Sequence, residues 1–381
     1  MADALRVMLV AGEASGDLHA ANLFRQLKSL LPSVQGLGMG GVHMREAGID
    51  LRYDSTGIAV IGAIEVIKHY TEIRRALGQM EALLRDERPD LLICVDYKEF
   101  NFRLAKKAKN LGIQVLFYVS PQFWAWRPGR VKEYGKVVDH MAVIFPFEVP
   151  FYQAHGIPVT YVGHPLAGKG AGGDRATLAA EFGLAPGRLT VGLLPGSRVN
   201  EIKRLLPVIV EAVALLAARF PDLQFLLSQA PAVDSGLLQA CLREAPVPIR
   251  VVRGRNRDAV TCCDAVITVS GSATLEVALA GVPMAIIYRV APLTYWLGRL
   301  LINIPFIGLP NILAGRSIVR EFIQQAASAP NIAGEIGRLL EQPDYAAAMR
   351  NDLRQVAAAL GDGDACGRLA RLAVSMLLPA S

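Results

Sequence analysis

Asp264-Ala-Val-Ile-Thr-Val-Ser-Gly-Ser-Ala-Thr-Leu-Glu276 is the stretch of this 381-residue chain from which the fold can be inferred. Residues 265–269 form a short, β-branched apolar run typical of a buried strand, and residues 273–280 space their apolar side chains as a helix does. A small-residue turn, Ser270-Gly-Ser272, joins them. The stretch therefore predicts a strand joined to a helix by a glycine turn, whose unpaired backbone amides can bind a phosphate.

A second turn of this kind, Leu193-Leu-Pro-Gly-Ser-Arg198, follows another apolar run and precedes a helical pattern. Its glycine and serine amides and its guanidinium would hold one side of a diphosphate, and Glu276 could then reach a sugar hydroxyl. Either turn alone is equally well explained as an ordinary strand-to-helix junction with a solvated glutamate. Two such turns in one sheet favour a nucleotide site.

Apolar runs of strand length alternate with helical patterns along the chain. In the first half the runs are residues 5–11, 90–95, 113–119 and 141–145; in the second they are residues 190–194, 223–227, 249–252, 265–269 and 283–288. Such alternation is typical of parallel sheets with helices on both faces. We therefore expect an α/β fold with two Rossmann-like, doubly wound domains, residues 1–168 and 169–345, facing a central cleft. A C-terminal helical segment, residues 346–381, is expected to pack back across them.

The composition limits the classes of function. The formal charge of +6 is spread over both halves of the chain, which argues against a basic nucleic-acid tail and for local patches, and no nucleic-acid partner is expected. The five cysteines show no CxxC pair and no Cys/His ligand spacing, so we expect a reduced cytoplasmic protein without a structural metal. The first residues are typical of a strand and not of a signal peptide. Prolines, glycines and asparagines interrupt the apolar stretch 293–314, so no spanning helix is expected there.

Gly36-Leu-Gly-Met-Gly-Gly41 fits the GxGxxG pattern of dinucleotide-binding turns. The motif belongs directly after the first predicted strand, where this chain has Gly12-Glu-Ala-Ser-Gly16 instead. A nicotinamide-dependent oxidoreductase that uses residues 36–41 is the alternative from a different class of enzyme. Protection against thermal unfolding by UDP and not by NADH would exclude it.

Asp96 ends the predicted strand 90–95, at the edge where doubly wound sheets place their ligands. A carboxylate there can take a proton from a sugar hydroxyl as general base, or it can cap the helix that follows. Glu99 and Asn101 lie close by in the sequence. A lone histidine such as His164 is more often a packed hinge residue than a catalyst.

Residues 98–136 combine nine basic side chains with Phe123-Trp-Ala-Trp126. Aromatic rings beside basic groups suit a membrane interface or an amphiphilic anionic ligand, and they also suit single-stranded nucleic acid. Upstream, residues 58–67 are nearly all apolar and are followed by basic residues, an arrangement that can enter a bilayer surface or form part of the core. A peripheral membrane-binding protein without turnover is therefore a third possibility.

Several motifs together resemble the lipid-A-disaccharide synthase family, inverting glycosyltransferases of the two-domain GT-B type. They occur in the family's order over nearly the whole chain. The matching segments are Ala11-Gly-Glu-Ala-Ser-Gly-Asp17, Gly62-Ala-Ile-Glu-Val66, Tyr118-Val-Ser-Pro-Gln-Phe-Trp-Ala-Trp-Arg127, Pro146-Phe-Glu148, Gly163-His-Pro165, Leu193-Leu-Pro-Gly-Ser-Arg198, Ser270-Gly-Ser-Ala-Thr-Leu-Glu276 and Leu309-Pro-Asn-Ile-Leu-Ala-Gly-Arg316.

The resemblance implies transfer of 2,3-diacylglucosamine from its UDP derivative to the 6-hydroxyl of 2,3-diacylglucosamine 1-phosphate, with Asp96 as catalytic base. It implies no cofactor and no metal, because backbone dipoles and arginines would stabilise the departing diphosphate. The residues implied to bind the nucleotide sugar are Ser197, Arg198, Gly271, Ser272, Ala273, Thr274, Glu276, Asn311, Gly315 and Arg316. Those implied on the acceptor and lipid side are Glu13, Ser15, Gly16, Glu99, Asn101, Ser120, Trp124, Trp126, Arg127 and His164.

The resemblance also implies peripheral attachment to the cytoplasmic face of the inner membrane, where anionic lipid is the partner, and a homodimer. The membrane-facing apolar patch would consist of Ile64, Val66, Ile67, Tyr70 and Ile73. Two departures from the family pattern bear on the acceptor. Asp96-Tyr-Lys-Glu-Phe-Asn101 replaces the usual small residue, proline and second aspartate, and Gly168 replaces an aspartate. A diverged glycosyltransferase with a different acceptor is the alternative.

Overall fold

The structure, a computed structural model, describes residues 4–57, 70–126, 128–168, 172–291, 295–296 and 304–378. The chain forms two compact units. The first comprises Met1–Pro165 together with Leu360–Ser381, and the second comprises Leu166–Ala359.

Strands β1 to β7 of the first unit make one parallel sheet, in which the fourth strand follows the first. Their bounds are β1 (Arg6–Ala11), β2 (Gln35–Gly40), β3 (Asp50–Asp54), β4 (Leu91–Val95), β5 (Gln114–Tyr118), β6 (His140–Val143) and β7 (Val159–Tyr161). The order across the sheet is β3-β2-β1-β4-β5-β6-β7, and each neighbouring pair is parallel.

Helices cover both faces of this sheet. They are α1 (Ala14–Leu30), α2 (Val42–Glu46), α3 (Tyr70–Glu87), α4 (Lys98–Asn110), α5 (Val131–Gly135) and α6 (Glu148–Gln153), with short 3-10 helices at Ser55–Gly57 and Pro128–Arg130. One face packs on α3 and α4 through residues such as Met80 and Leu104, and the other packs on α1 through Leu23 and Leu27. Because both faces are covered, β4 is buried over its whole length and reads as an uninterrupted apolar run.

The second unit repeats this arrangement. Its strands are β8 (Thr190–Leu194), β9 (Gln224–Gln229), β10 (Ile249–Arg253), β11 (Ala265–Val269), β12 (Met284–Tyr288) and β13 (Arg320–Ile323), parallel in the order β10-β9-β8-β11-β12-β13. Its helices are α7 (Arg175–Glu181), α8 (Val199–Arg219), α9 (Ser235–Leu242), α10 (Asn256–Thr261), α11 (Ala273–Leu279), α12 (Leu309–Ala314), α13 (Ala329–Glu341) and α14 (Pro343–Ala359), with a 3-10 helix at Gln324–Ala326. The predicted α/β fold with two doubly wound sheets is confirmed.

The two C-terminal helices belong to different units, although the sequence predicts one segment over residues 346–381. Leu353 and Val356 of α14 join the core of the second unit. The last helix, α15 (Ala365–Leu377), places Leu369 and Ala373 in the same cluster as α1 of the first unit. Arg368 strengthens this attachment, since its Nε donates to the carbonyl of Val162 at 2.8 Å.

Each sheet has one point where the strand order reverses. In the first sheet this point lies between β1 and β4, and in the second between β8 and β11. At such a point the two flanking connections run to opposite faces of the sheet and leave a crevice beyond the carboxyl ends of the strands. We therefore expect the ligand-binding residues to follow these four strands directly. No helix in the described part of the chain combines the length and the apolar character that crossing a bilayer needs.

Candidate active site

The crevice of the second sheet contains a cavity of about 310 Å³. The turns after β8 and β11 form two of its walls, and they bring together six of the residues that the resemblance assigns to the nucleotide sugar: Ser197, Arg198, Gly271, Ser272, Ala273 and Glu276. The volume is at the lower end of the range for small-molecule sites.

The turn after β11 presents unpaired backbone donors to this cavity. Within the described residues, the amides of Gly271, Ser272 and Ala273 have no hydrogen-bond acceptor. The Ser270 hydroxyl donates to the carbonyl of Ile307 at 2.8 Å, which fixes the start of the turn. Three free amides beside the first turn of α11 are an arrangement that binds anionic oxygens.

The turn after β8 differs from the expectation in one respect. The Glu201 carboxylate, at the third position of α8, accepts the amides of Ser197 and Arg198 at 3.1 and 3.2 Å. It also accepts the Arg198 guanidinium at 3.0 Å. Of the glycine and serine amides predicted to hold a diphosphate, that of Ser197 is therefore occupied by the helix's own capping residue. The Ser197 hydroxyl and the Arg198 guanidinium, whose side chain is 65% exposed, remain for a ligand.

Gly196 makes this capping contact possible. Its φ of +106° lies in the region that favours glycine, and a Cβ there would stand 2.4 Å from Oε2 of Glu201. Glu201 was not among the predicted site residues. The signal in the sequence was its spacing, since a glutamate three residues after a helix's first flanking residue is typical of a capping box.

Glu276 faces the cavity and accepts a hydrogen bond from the Asn256 side-chain amide at 2.8 Å. Asn256 begins α10, and together with Ser228 and Gln229 at the end of β9 it adds polar groups that the sequence reasoning missed. These groups come from strands and helices far apart in the sequence. Only the strand order across the sheet places them at one crevice.

Four predicted nucleotide ligands lie outside the lining of this cavity. Thr274 is fully buried and donates to the carbonyl of Gly271, so it shapes the turn. The Asn311 side chain is also fully buried and bonds to the backbone of Ile318 and Val319 and to Glu321. Arg316 pairs with Asp352, and Gly315 ends α12 in the left-handed conformation.

In the first sheet the crevice is bordered by Asp96 and Tyr97, directly after β4. Both residues have positive φ, 48° and 44°, a conformation that costs on the order of 1–3 kcal/mol for a residue other than glycine. The Tyr97 ring lies on the backbone of Gly12, after β1, where a Cβ would stand 2.3 Å from Cγ of the ring. Two consecutive left-handed residues at a switch point are typical of a functional site.

Asp96 is not the capping residue of α4. The residue that flanks the helix is Tyr97, and no side chain caps it. Burial raises the pKa of the Asp96 carboxyl, while the charge of Lys98 and a hydrogen bond from the Tyr97 amide act in the opposite direction. A half-buried carboxylate with a raised pKa is a stronger base than an exposed one, which suits proton abstraction.

Asn101 is hydrogen-bonded to the backbone of Asp96 and is too deeply buried to contact a substrate. It is fully buried, and its side-chain amide donates to the Asp96 carbonyl at 2.7 Å. It therefore positions the loop and is not available as an acceptor ligand. Glu99 is exposed but forms an ion pair with Arg130, so its charge is neutralised within the first unit.

A buried carboxyl lies behind the loop after β5; it belongs to the quoted motif Pro146-Phe-Glu148 but was not among the predicted site residues. Glu148, at the start of α6, is 1% exposed; its two oxygens accept the Ser120 hydroxyl at 2.5 Å and the Phe145 amide at 3.0 Å. Burial raises its pKa to about 7 against the effect of these hydrogen bonds. Val119, just before Ser120, has a φ of 62°, which is unusual for a β-branched residue.

The remaining predicted acceptor-side residues follow strands of the first sheet. Glu13, Ser15 and Gly16 come after β1, with Gly16 packed against the carbonyl of Val95. Trp124 stacks edge-on against Phe147, Trp126 is 42% exposed, and the ring of His164 lies 5.2 Å from that of Phe145. Arg127, Ile64, Val66 and Ile67 lie outside the described residues, whereas Tyr70 and Ile73 are on α3.

Residues 36–40 of the GxGxxG motif belong to strand β2, and the motif does not have the geometry of a dinucleotide-binding turn. The buried Asp17 carboxylate accepts the amides of Gly41, His43 and Met44 at 2.7 to 3.1 Å. The amides that would hold a pyrophosphate at the start of α2 are thus bonded to a carboxylate of the same chain. This removes the structural basis of the nicotinamide alternative.

Solved structures share this two-domain architecture over the whole chain. A putative UDP-N-acetylglucosamine 2-epimerase from Listeria monocytogenes aligns with a TM-score of 0.68 at 14% identity, covering 99% of this chain and 97% of its own. The glycotransferase of kitacinnamycin aligns with a TM-score of 0.65 at 17% identity, covering 100% of both chains. The fold is that of the GT-B glycosyltransferases.

Within this class the sequence defines the family. The family model of lipid-A-disaccharide synthetase matches residues 7–372, and the chain belongs to this family, glycosyltransferases of lipid A biosynthesis. The lipid-A-disaccharide synthase of Geobacter sulfurreducens is 49% identical over 375 residues, covering 98% of this chain and 97% of the relative. That of Trichlorobacter lovleyi is 49% identical over 373 residues, with the same coverage.

Proposed function

We propose that this protein transfers 2,3-diacylglucosamine from its UDP derivative to the 6-hydroxyl of 2,3-diacylglucosamine 1-phosphate, releasing UDP and a β-1,6-linked disaccharide 1-phosphate. Family membership and the names of the curated relatives support this reaction. The structural observation that carries it is Asp96, a half-buried carboxyl with a raised pKa at the switch point of the first sheet.

Asp96 acts as the general base. The acceptor O6–H bond breaks and its proton passes to the Asp96 carboxylate while the oxygen forms a bond to the anomeric carbon of the donor. The bond between that carbon and the β-phosphate oxygen breaks, and its electron pair leaves with UDP. Attack opposite the leaving group inverts the anomeric configuration.

The second unit binds the donor. The free amides of residues 271–273 and the Arg198 guanidinium face the β-phosphate, where negative charge grows as the bond breaks. Donors fixed in place before the reaction stabilise this charge without reorganisation. Glu276, held by Asn256, accepts a hydrogen bond from a sugar hydroxyl of the nucleotide.

The test is acceptor-dependent release of UDP from UDP-2,3-diacylglucosamine by the purified protein in detergent, with the mass of the lipid product determined. We expect release only when 2,3-diacylglucosamine 1-phosphate is present, and a product mass equal to the sum of the two substrates less that of UDP. Donor binding without acceptor-dependent release would contradict this function. It would favour a diverged glycosyltransferase with another acceptor.

Peripheral attachment to the cytoplasmic face of the inner membrane and a homodimer are further parts of the proposal. Tyr70 and Trp126 expose 54% and 42% of their surface, and exposed aromatic rings suit a membrane interface. Flotation with vesicles of phosphatidylglycerol and of phosphatidylcholine tests the first part; equal binding to both would contradict a preference for anionic lipid. Sedimentation velocity tests the dimer.

A further inference from the structure

A groove of about 460 Å³ runs between α3 and α4 of the first unit. Most of its wall is apolar or aromatic: Tyr70, Ile73, Leu77, Tyr97 and Phe100. Gly78 of α3 deepens it, since a Cβ there would meet nothing within 4 Å. A groove of this size and lining suits an alkyl chain.

The charged groups of the groove leave a positive excess. Its two carboxylates are already paired with cations: Glu81 with Lys107, and Glu99 with Arg130. Its two arginines, Arg74 and Arg103, have no hydrogen-bond or ion-pair partner among the described residues. An apolar groove lined by two exposed guanidinium groups that have no partner among the described residues complements an amphiphile with an anionic head group.

The groove begins at the catalytic edge of the first sheet. Tyr97, which lines it, follows Asp96 directly, and α4 carries its wall away from that point. From Lys98 to Arg103 the helix rises about 7.5 Å. Arg103 therefore lies beyond the start of α4 by roughly the length of one sugar ring, and it lines the groove.

We propose that this groove binds an acyl chain of the acceptor and that Arg74 and Arg103 bind its 1-phosphate. The inference rests on the function proposed above and adds the residues that select a phosphorylated acceptor. The 6-hydroxyl and the 1-phosphate extend from carbons on either side of the ring oxygen of the acceptor sugar, so a phosphate held by the arginines leaves the hydroxyl free to reach Asp96. Tyr70 and Ile73 then contact the substrate's lipid and not only a membrane.

The first test compares two acceptors, 2,3-diacylglucosamine with and without the 1-phosphate, in mixed detergent micelles with a fixed donor concentration. We expect the wild type to prefer the phosphorylated lipid by about 10- to 100-fold in kcat/KM, the effect of charge-assisted hydrogen bonds. An Arg74→Ala, Arg103→Ala double variant should lose most of this preference by a rise in KM for the phosphorylated lipid, with unchanged activity on the other.

Arg75→Ala on α3 and Lys106→Ala on α4 are the matched controls. Each removes a cation from a helix that carries one of the two arginines, at a position outside the groove. Both should keep the wild-type preference. A double variant that still prefers the phosphorylated acceptor as strongly as the wild type would overturn the phosphate site while leaving the proposed function intact. No acceptor-dependent release by the wild type would overturn the function itself, and the groove assignment with it.

The second test concerns the acyl chain. Gly78→Leu fills the groove, and leucine is a better helix former than glycine, so the variant should fold. For long-chain acceptors we expect KM to rise about tenfold, the effect of leaving two methylene groups unburied, and for short-chain acceptors we expect no change. An equal effect on both would show that the groove does not hold the chain. Gly78→Ala, with a side chain too small to fill it, is the control.

Discussion

The two switch points share one strand order and differ in what they present to a ligand. Beyond β1 and β4, the first sheet presents Asp96 and Tyr97 in left-handed conformations, and the buried acid Glu148 lies behind the loop after the neighbouring strand β5. Beyond β8 and β11, the second sheet presents glycine turns, free amides and an arginine. We propose that the same topology forms a proton-accepting edge in one unit and an anion-binding edge in the other.

Two glutamates show the difference in detail. Glu148 and Glu201 both lie in the first turn of a helix and both accept a backbone amide. Glu201 faces the Arg198 guanidinium, and it fixes a turn. Glu148 receives a serine hydroxyl and an amide but no cation among its described partners, so burial raises its pKa to about 7. Burial without a cation among its described partners favours the protonated form of Glu148.

Replacement of the base should give the largest effect. In Asp96→Asn we expect turnover to fall about 10²- to 10⁴-fold, because the acceptor hydroxyl loses its proton acceptor. UDP should still protect the variant against thermal unfolding as in the wild type. Asp86→Asn, on the exposed face of α3, is the control. A loss of UDP protection together with turnover would contradict the proposal that the first unit supplies the base and the second unit binds UDP.

The buried acid should make the first unit sensitive to pH. Because the pKa of Glu148 rises from 4.5 to about 7 on folding, the wild type should lose on the order of 3 kcal/mol of stability as pH rises across that window. Glu148→Gln cannot ionise and should lack this loss, so its stability relative to the wild type should increase with pH. Urea unfolding followed by the fluorescence of Trp124 and Trp126 measures it. Parallel pH profiles would contradict a protonated Glu148.

Loss of Arg198 should affect only the nucleotide-binding edge of the second sheet. We expect Arg198→Ala to weaken UDP binding by about 10- to 100-fold, the range for a hydrogen bond to a charged group. Isothermal titration with UDP measures this, and Arg204→Ala on the same helix, outside the cavity, is the control. Unchanged affinity for UDP would remove Arg198 from the phosphate site.

The smallest expected effect is a gain in stability from the same Asp96→Asn variant. Asparagine tolerates the left-handed conformation, and it carries no charge to bury, so we expect a gain of about 0.5–1 kcal/mol. Urea unfolding of the variant and the wild type at pH 7 measures it. A loss of stability would show that the Asp96 carboxylate makes favourable contacts and is not strained for function.

Much of this contrast could be predicted from the sequence. Buried strands, helical patterns and glycine turns placed Asp96 and residues 271–273 at the carboxyl edges of two parallel sheets, because strand ends and turn residues are local properties. Asn311 could not be judged in this way, since its partners are the backbone of residues 318 and 319 and Glu321 in a folded loop. The Glu201 carboxylate bonds to the amides that precede its own helix and not to a ligand, and this depends on its side-chain conformation. The hydrogen bond between Glu148 and Ser120 joins residues 28 positions apart.

The attachment of α15 to α1 has a consequence for synthesis on the ribosome. The second unit is contiguous and can complete its core as soon as it emerges, whereas the first must wait for the last helix of the chain. At bacterial and eukaryotic translation rates, the 194 residues from Leu166 to Ala359 take about 10 to 40 seconds to make. For that time the apolar face of α1 that α15 covers is open to chaperones, so the amino-terminal unit is synthesised first and finished last.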